Sequence, residues 1–289
     1  MSKDLLQSGR HDFRAQGRRL AYHVYGEGSP VIAIPGGPGY SHTYLRMPEL
    51  ERRCRVIYLD NIGTGNSDRL PDPAGYSRAA DVANLEEFRK HLGMERLTLL
   101  GHSAGGFIAQ EYALDRPDHV ERLVLYGTTP TNGAEFDLSL DTELAARARD
   151  PRYTAAIDSL REAFSRRLDQ SEANAIMSEA LKLYLYDFEA GNGSVLRAVR
   201  LASDLDVVRM QQGTAVDFDY RPRLPSLEIP TLIVTGARDF ICAPRLAEMI
   251  RAGIPGSRLV TMQRSGHLAH LEEPELFADA VASFLAERD

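Results

Sequence analysis

Tryptophan is absent from this chain of 289 residues, and cysteine occurs only as Cys54 and Cys242. Two cysteines make no disulfide framework, so a small stapled domain is excluded. Cys54 falls in a predicted buried strand, where a free thiol acts as a small apolar group. No apolar run approaches the length of a membrane span, and the opening residues MSKDLLQSGR lack the apolar stretch of a secretory signal. The expectation is a chain of the reducing cytoplasm with no membrane partner. Basic charge is short too: 34 Lys and Arg against 41 Asp and Glu leave a formal charge of -7. That balance, with arginines scattered along the chain, argues against a nucleic-acid partner. Neither HxH nor CxxC spacing occurs, which disfavours a zinc enzyme.

What is present is ordinary globular composition, 43% hydrophobic and 26% charged, in a chain long enough for one large core. The first third alternates strands with helical patterns. Leu20 to Tyr25 mixes apolar and polar positions and reads as an edge strand; Val31–Ile34 and Val56–Leu59 are continuous apolar runs. Asp81 to His91 has helical spacing, with Val82, Leu85 and Phe88 on one face and Gly93 as its stop. Leu97 to Leu100 and Arg122 to Tyr126 follow as strands, separated by a helix from Ala104 to Asp115. Such alternation predicts a mostly parallel sheet with helices on both faces.

From Thr131 to Arg223 only helical patterns occur. Ile176, Ala180, Leu183 and Tyr184 share one stripe; Leu196, Val199, Ala202, Leu205 and Val208 form another. Strands return at Thr231–Thr235 and Arg258–Met262. The domain expectation is a core of residues 1–130 and 224–289, interrupted by a helical insert at 131–223.

The stretch GHSAGG, residues 101 to 106, lies where one of these strands becomes a helix. It matches G-x-S-x-G, in which a serine sits on a sharp turn above the sheet and glycines prevent collisions as the chain reverses. The helix that begins there aims free N–H groups at developing negative charge. A serine nucleophile needs a base, and the base needs an orienting acid. Asp239 follows the strand 231–235, and His267 follows the strand 258–262, both at strand C-terminal ends. The order Ser103, Asp239, His267 is that of α/β-hydrolases. Alternatives remain at this stage. Asp239 could cap the helix near Ala243, His270 lies one turn beyond His267, and His102 adjoins the serine too closely to serve as its base.

Over nearly its full length the chain resembles the α/β-hydrolase superfamily, through VIAIPGGPG, LDNIGTGNSDR, LLGHSAGG, TGARD and SGHLAHLEEPE. PGGPG is similar to the HGGPG loop of prolyl iminopeptidase-like hydrolases, and Asp60, Gly63, Gly65 and Ser67 echo their DQRGxGxS loop. The resemblance implies an α/β-hydrolase fold with the insert as a lid. It also implies Ser103 as nucleophile, Asp239 as acid, His267 as base, and the N–H groups of Gly37 and Ala104 as an oxyanion hole. Two positions depart from the pattern: Pro35 stands where the loop usually opens with histidine, and no tryptophan follows the serine. Because prolines carry no N–H, donors in this loop must come from Gly36, Gly37, Gly39 or Tyr40.

These readings lead to a serine hydrolase acting on a small ester, amide or lactone through an acyl-enzyme, with no metal or organic cofactor. A small-molecule or short-peptide substrate is expected, and the oligomeric state stays open. The rival readings are an aminopeptidase, an acyltransferase or cyclase using the same three residues, and a non-catalytic binding protein. The aminopeptidase would use insert carboxylates to hold a free amine; Glu179, Asp187, Glu189, Asp204, Asp206, Asp217 and Asp219 are available.

Overall fold

Five apolar runs become strands buried almost throughout: β3 (Pro30–Ile34), β4 (Arg55–Leu59), β5 (Leu97–His102), β6 (Val120–Tyr126) and β7 (Thr231–Gly236). The computed structural model describes residues 3–37, 39–72, 75–165, 170–188 and 217–287. With β1 (Gly9–Ala15), β2 (Arg18–Tyr25) and β8 (Arg258–Met262) these strands form one sheet in the order β1-β2-β4-β3-β5-β6-β7-β8. β2 runs antiparallel to both β1 and β4, and every other pairing is parallel.

The segment Leu20 to Tyr25, expected from its sequence to be an edge strand, is not at an edge. β2 is an interior strand, and the edge beside it is β1, whose sequence shows no strand pattern. The cause is visible in the burial: β1 hides only Phe13 and Ala15, so GRHDFRA reads as polar. β2 looked mixed because His23 is polar, yet His23 is buried on Asp60.

Helices cover both faces. The described ones outside the insert are α1 (Pro48–Glu51), α2 (Arg78–Leu92), α3 (Ala104–Asp115), and, after the insert, three more introduced below. α2 starts where Ser77 accepts the N–H of Ala80 at 3.2 Å and stops at Gly93, whose φ of 62° suits glycine. Strand side chains alternate between two cores, as a period of two requires. Ile32 and Ile34 join Leu85 and Phe88 of α2 and Tyr112 of α3, whereas Val31 and Ala33 join Leu50 of α1 on the other face.

Between β6 and β7 lie α4 (Ala134–Arg147), α5 (Thr154–Ser165) and α6 (Gln170–Ala180). They share a small core of Tyr153, Ile157, Leu160 and Leu183 that docks on Phe240 of the sheet domain. No strand occurs in the described part of the insert; a single bridge, Thr131 to Asp219, ties its two ends together. The stripe from Val195 to Met210 lies outside the described residues. After β7 come α7 (Pro244–Gly253), α8 (Ala269–Glu272) and α9 (Pro274–Ala286). No described helix is long and apolar enough to cross a membrane.

Strand order reverses direction between β3 and β5: the chain leaves β3 toward β4, then returns across to β5. Loops at the C-terminal ends of two such strands diverge and leave a crevice. Here those loops are PGGPG and HSAGG.

Phe88 ties the unexpected edge strand to α2, with its ring 4.8 Å from that of Phe13 and 4.9 Å from that of Tyr22. Phe88→Ala should destabilise the fold by about 3–5 kcal/mol, the usual cost of emptying a buried aromatic site. Urea unfolding measures it, and a loss under about 1 kcal/mol would mean that β1 is not packed in this way.

Candidate active site

Ser103 has φ 53° and ψ -121°, and Gln16 is the only other non-glycine residue at positive φ among the described residues. Such a conformation costs on the order of 1–3 kcal/mol and persists only when its surroundings hold it. They do. Ser103 N–H donates to the Tyr126 carbonyl at 3.0 Å, and the Ser103 carbonyl accepts from Gly106 N–H and the Thr128 hydroxyl, both at 2.9 Å.

The surrounding glycines have separate steric reasons. A Cβ on Gly101 would lie 2.5 Å from the Gly105 carbonyl oxygen, one on Gly105 would strike the Ile34 carbonyl, and one on Gly106 would strike Thr128. Gly36 must come close from the other side, since its Cβ would be 2.6 Å from Ser103 Cβ. The turn therefore packs against β3, β6 and the glycine loop at once.

His267 and Asp239 meet although 28 positions apart: His267 Nδ1 lies 2.7 Å from Asp239 Oδ2. The other carboxylate oxygen accepts the N–H groups of Ile241 at 3.0 Å and Cys242 at 2.9 Å. Asp239 thus binds the turn before α7 with one oxygen and the imidazole with the other; it does not cap the helix, whose N-cap is Ala243, because both N–H groups it accepts precede the first helical residue. A carboxylate only accepts, which assigns the proton to Nδ1 and leaves Nε2 with its lone pair. Gly127 lies beneath the pair, where an added Cβ would come 3.3 Å from His267 Nδ1. The His267 N–H donates to the Tyr184 carbonyl of the insert at 2.7 Å.

Ser103, His267 and Gly37 line one pocket of about 80 Å³ together with Tyr40, Tyr44, His102, Leu181, Tyr184, Ile241 and Leu268. Leu181 and Tyr184 belong to the insert. Gly37 has a φ of 123°, and Ala104 opens α3, where backbone N–H groups lack helical partners. Gly36 is unavailable as an oxyanion donor, because its N–H goes to the Tyr44 hydroxyl at 2.6 Å. Tyr44 and Tyr126 carry no motif, and nothing in SHTYL announces a partner 58 positions away.

No carboxylate lines this pocket among the described residues. Glu179 holds Lys182 at 2.6 Å, Asp219 holds Arg221, and Asp217 is exposed. Glu189, Asp204 and Asp206 lie outside the described residues.

A second cluster joins His23, His42 and Asp60, with ligand atoms close enough for a metal ion. Its geometry is that of a hydrogen-bond hub instead. Asp60 already accepts from His42 N–H at 3.0 Å, His42 Nδ1 at 2.8 Å, His23 Nε2 at 3.1 Å and Asn66 N–H at 3.0 Å. The two imidazoles are stacked at 3.7 Å, and the nitrogens that face Asp60 donate to it, so neither offers an ion a lone pair there. Although burial opposes ionisation, the histidines and the Asn66 N–H hold the Asp60 carboxyl well below the usual range. This hub braces the loop that Gly63, Gly65 and Ser67 belong to, with Ser67 donating to the Asp60 carbonyl at 2.6 Å.

Residues 29–274 match the family model for the alpha/beta hydrolase fold. A proline iminopeptidase of Saccharolobus solfataricus is 27% identical over 283 residues, covering 91% of this chain and 87% of that protein. A hydrolase from Pseudomonas aeruginosa is 29% identical with a TM-score of 0.72, covering 96% of this chain and 98% of its own. An esterase from Exiguobacterium antarcticum shares the fold at a TM-score of 0.73 and 24% identity, covering 97% and 100% of the two chains. The chain belongs to the α/β-hydrolase family.

His270 gives a test of how this region is packed. Burial, chiefly, pushes its pKa down to about 4, against about 6.5 in an unfolded chain. Between those values the unfolded state takes a proton that the folded state refuses, so acidification destabilises the fold. The linked loss from pH 7 to pH 5 is about 2 kcal/mol. Urea unfolding of the wild type and His270→Gln should therefore differ by about that much less at pH 5 than at pH 7. An unchanged difference would show that His270 carries no linked proton.

Proposed function

We propose that this protein is a serine hydrolase that cleaves a small ester through an acyl-enzyme. The carrying observation is the pocket that Ser103 and His267 share, with Asp239 hydrogen-bonded behind the imidazole at 2.7 Å. In this reading His267 Nε2 takes the Ser103 proton as the oxygen attacks the carbonyl carbon. The negative charge that develops on the carbonyl oxygen is met by the N–H groups of Gly37 and Ala104. His267 then gives its proton to the leaving alkoxide and later deprotonates the water that releases the acid. Asp239 keeps the imidazole in the required tautomer and offsets its positive charge. The insert at 131–223 acts as the lid and the chain as a cytoplasmic enzyme, a setting compatible with two buried free thiols.

The pocket wall favours an ester over an aminoacyl substrate. Leu181, Ile241 and Leu268 with three tyrosines give it apolar character, and no described carboxylate offers a partner for an ammonium. A buried ammonium without such a partner is strongly disfavoured. The relatives named proline iminopeptidase are the reason to test the alternative.

A fluorophosphonate should label the peptide that contains Ser103, and Ser103→Ala should abolish both labelling and nearly all turnover. Labelling that survives in the variant would sink the assignment. Small neutral esters should be cleaved faster than prolyl amides, and N-acetylation of an aminoacyl substrate should change kcat/KM little. A loss on acetylation worth more than about 3 kcal/mol, the scale of breaking a buried charge pair, would make the aminopeptidase reading the correct one.

A further inference from the structure

Behind the pocket, groups from three segments of the chain form a single run of hydrogen bonds. The Gly36 N–H donates to the Tyr44 hydroxyl at 2.6 Å, and that hydroxyl lies 2.7 Å from His102 Nδ1. His102 Nε2 in turn lies 3.0 Å from the His267 carbonyl oxygen. The proton positions follow from the partners. A carbonyl only accepts, so Nε2 carries the hydrogen; in a neutral ring Nδ1 is then the acceptor, and the Tyr44 hydroxyl donates to it. His102 is buried, and burial beside His267 and His270 pushes its pKa well below the ordinary imidazole value.

We propose that Tyr44 and His102 are positioning residues for the hydrolytic step, holding the glycine loop that presents the Gly37 N–H in register with the loop that carries His267. The proposal rests on the roles given above to Ser103, His267 and Gly37. Gly36 is the neighbour of Gly37 and lies against the serine, so the Tyr44 hydroxyl fixes where the next N–H points. One oxyanion donor is worth about 10²–10³ in kcat, and its contribution depends on placement within a fraction of an ångström.

At the other end, the His267 carbonyl depends on His102 for its donor. The Tyr126 hydroxyl is also near that carbonyl, at 3.2 Å, but it lies 2.9 Å from His270 Nδ1. His270 Nε2 donates to the Tyr44 carbonyl at 2.8 Å, so His270 Nδ1 is an acceptor and takes the single Tyr126 hydroxyl proton. Tyr44 is thereby held twice, by its hydroxyl through His102 and by its carbonyl through His270.

The test is steady-state kinetics on a small p-nitrophenyl ester, with fluorophosphonate labelling and thermal midpoints measured on the same samples. Tyr44→Phe removes one oxygen and strands the Gly36 N–H and His102 Nδ1. It should lower kcat by about 10- to 100-fold and leave KM within about twofold, the pattern of an interaction expressed in the transition state. His102→Gln keeps a donor near the His267 carbonyl and should retain at least about tenfold more kcat than His102→Leu. Tyr22→Phe, which removes a hydroxyl bonded to the Leu5 carbonyl at 3.0 Å, is the control and should leave kcat unchanged. If the wild type neither turns over ester nor is labelled at Ser103, the functional reading fails and the relay falls with it. If the wild type is active but Tyr44→Phe keeps its kcat, or the two His102 variants lose equally, the relay alone is overturned. Should the variants not fold, imidazole ¹⁵N shifts of the wild type decide: His102 must be neutral with hydrogen on Nε2 at pH 7, and the opposite tautomer or a charged ring contradicts the assignment.

Discussion

A positive φ at Ser103 is the constraint on which the neighbourhood depends. A side chain resists that conformation, so contacts from several directions must make it the lowest-energy choice. Tyr126 and Thr128 at the end of β6 bind the serine backbone on both sides. Gly101, Gly105, Gly106 and Gly36 are glycines because a Cβ at each would collide with backbone or with packed side chains. The cost of the turn is offset by close packing, and the result is a serine that faces a pocket instead of the core. The first turn of α3 follows directly, which brings the Ala104 N–H beside it.

The sheet explains why such distant residues meet. Gly37, Ser103, Gly127, Asp239 and His267 each follow a parallel strand, at its C-terminal end. The crevice between β3 and β5 supplies the serine and the glycine loop, while β7 and β8 bring the acid and the histidine from the far side. Hydrogen bonds between loops then set the finer distances. His267 is bonded through its ring to Asp239, through its N–H to the Tyr184 carbonyl and through its carbonyl to His102. The backbone bond from Tyr184 thus ties the segment between β6 and β7 directly to the loop that carries His267.

Some of this was legible in the residues. Continuous apolar runs announced β3 to β7, and the glycine spacing around Ser103 announced the turn, because both are steric or burial effects that act locally. The motifs TGARD and SGH marked Asp239 and His267 by their place after strands. What failed to show was whatever depends on a distant partner. β1 reads as polar because one face is in solvent, and β2 reads as an edge because its buried His23 is satisfied by Asp60. Tyr44 and His102 gain their roles only when residues 36, 44, 102 and 267 come together, and no periodicity encodes such a meeting.

The claim at the centre of this account is that turnover passes through an acyl group on Ser103. Rapid acid quench of the wild type during turnover of a small, slowly hydrolysed ester, followed by peptide mass spectrometry, tests it most directly. The acyl mass should sit on the peptide containing Ser103, appear at least as fast as kcat and approach one group per chain at saturation. Steady turnover with no acyl mass on Ser103, or with the acyl group on another side chain, would contradict it.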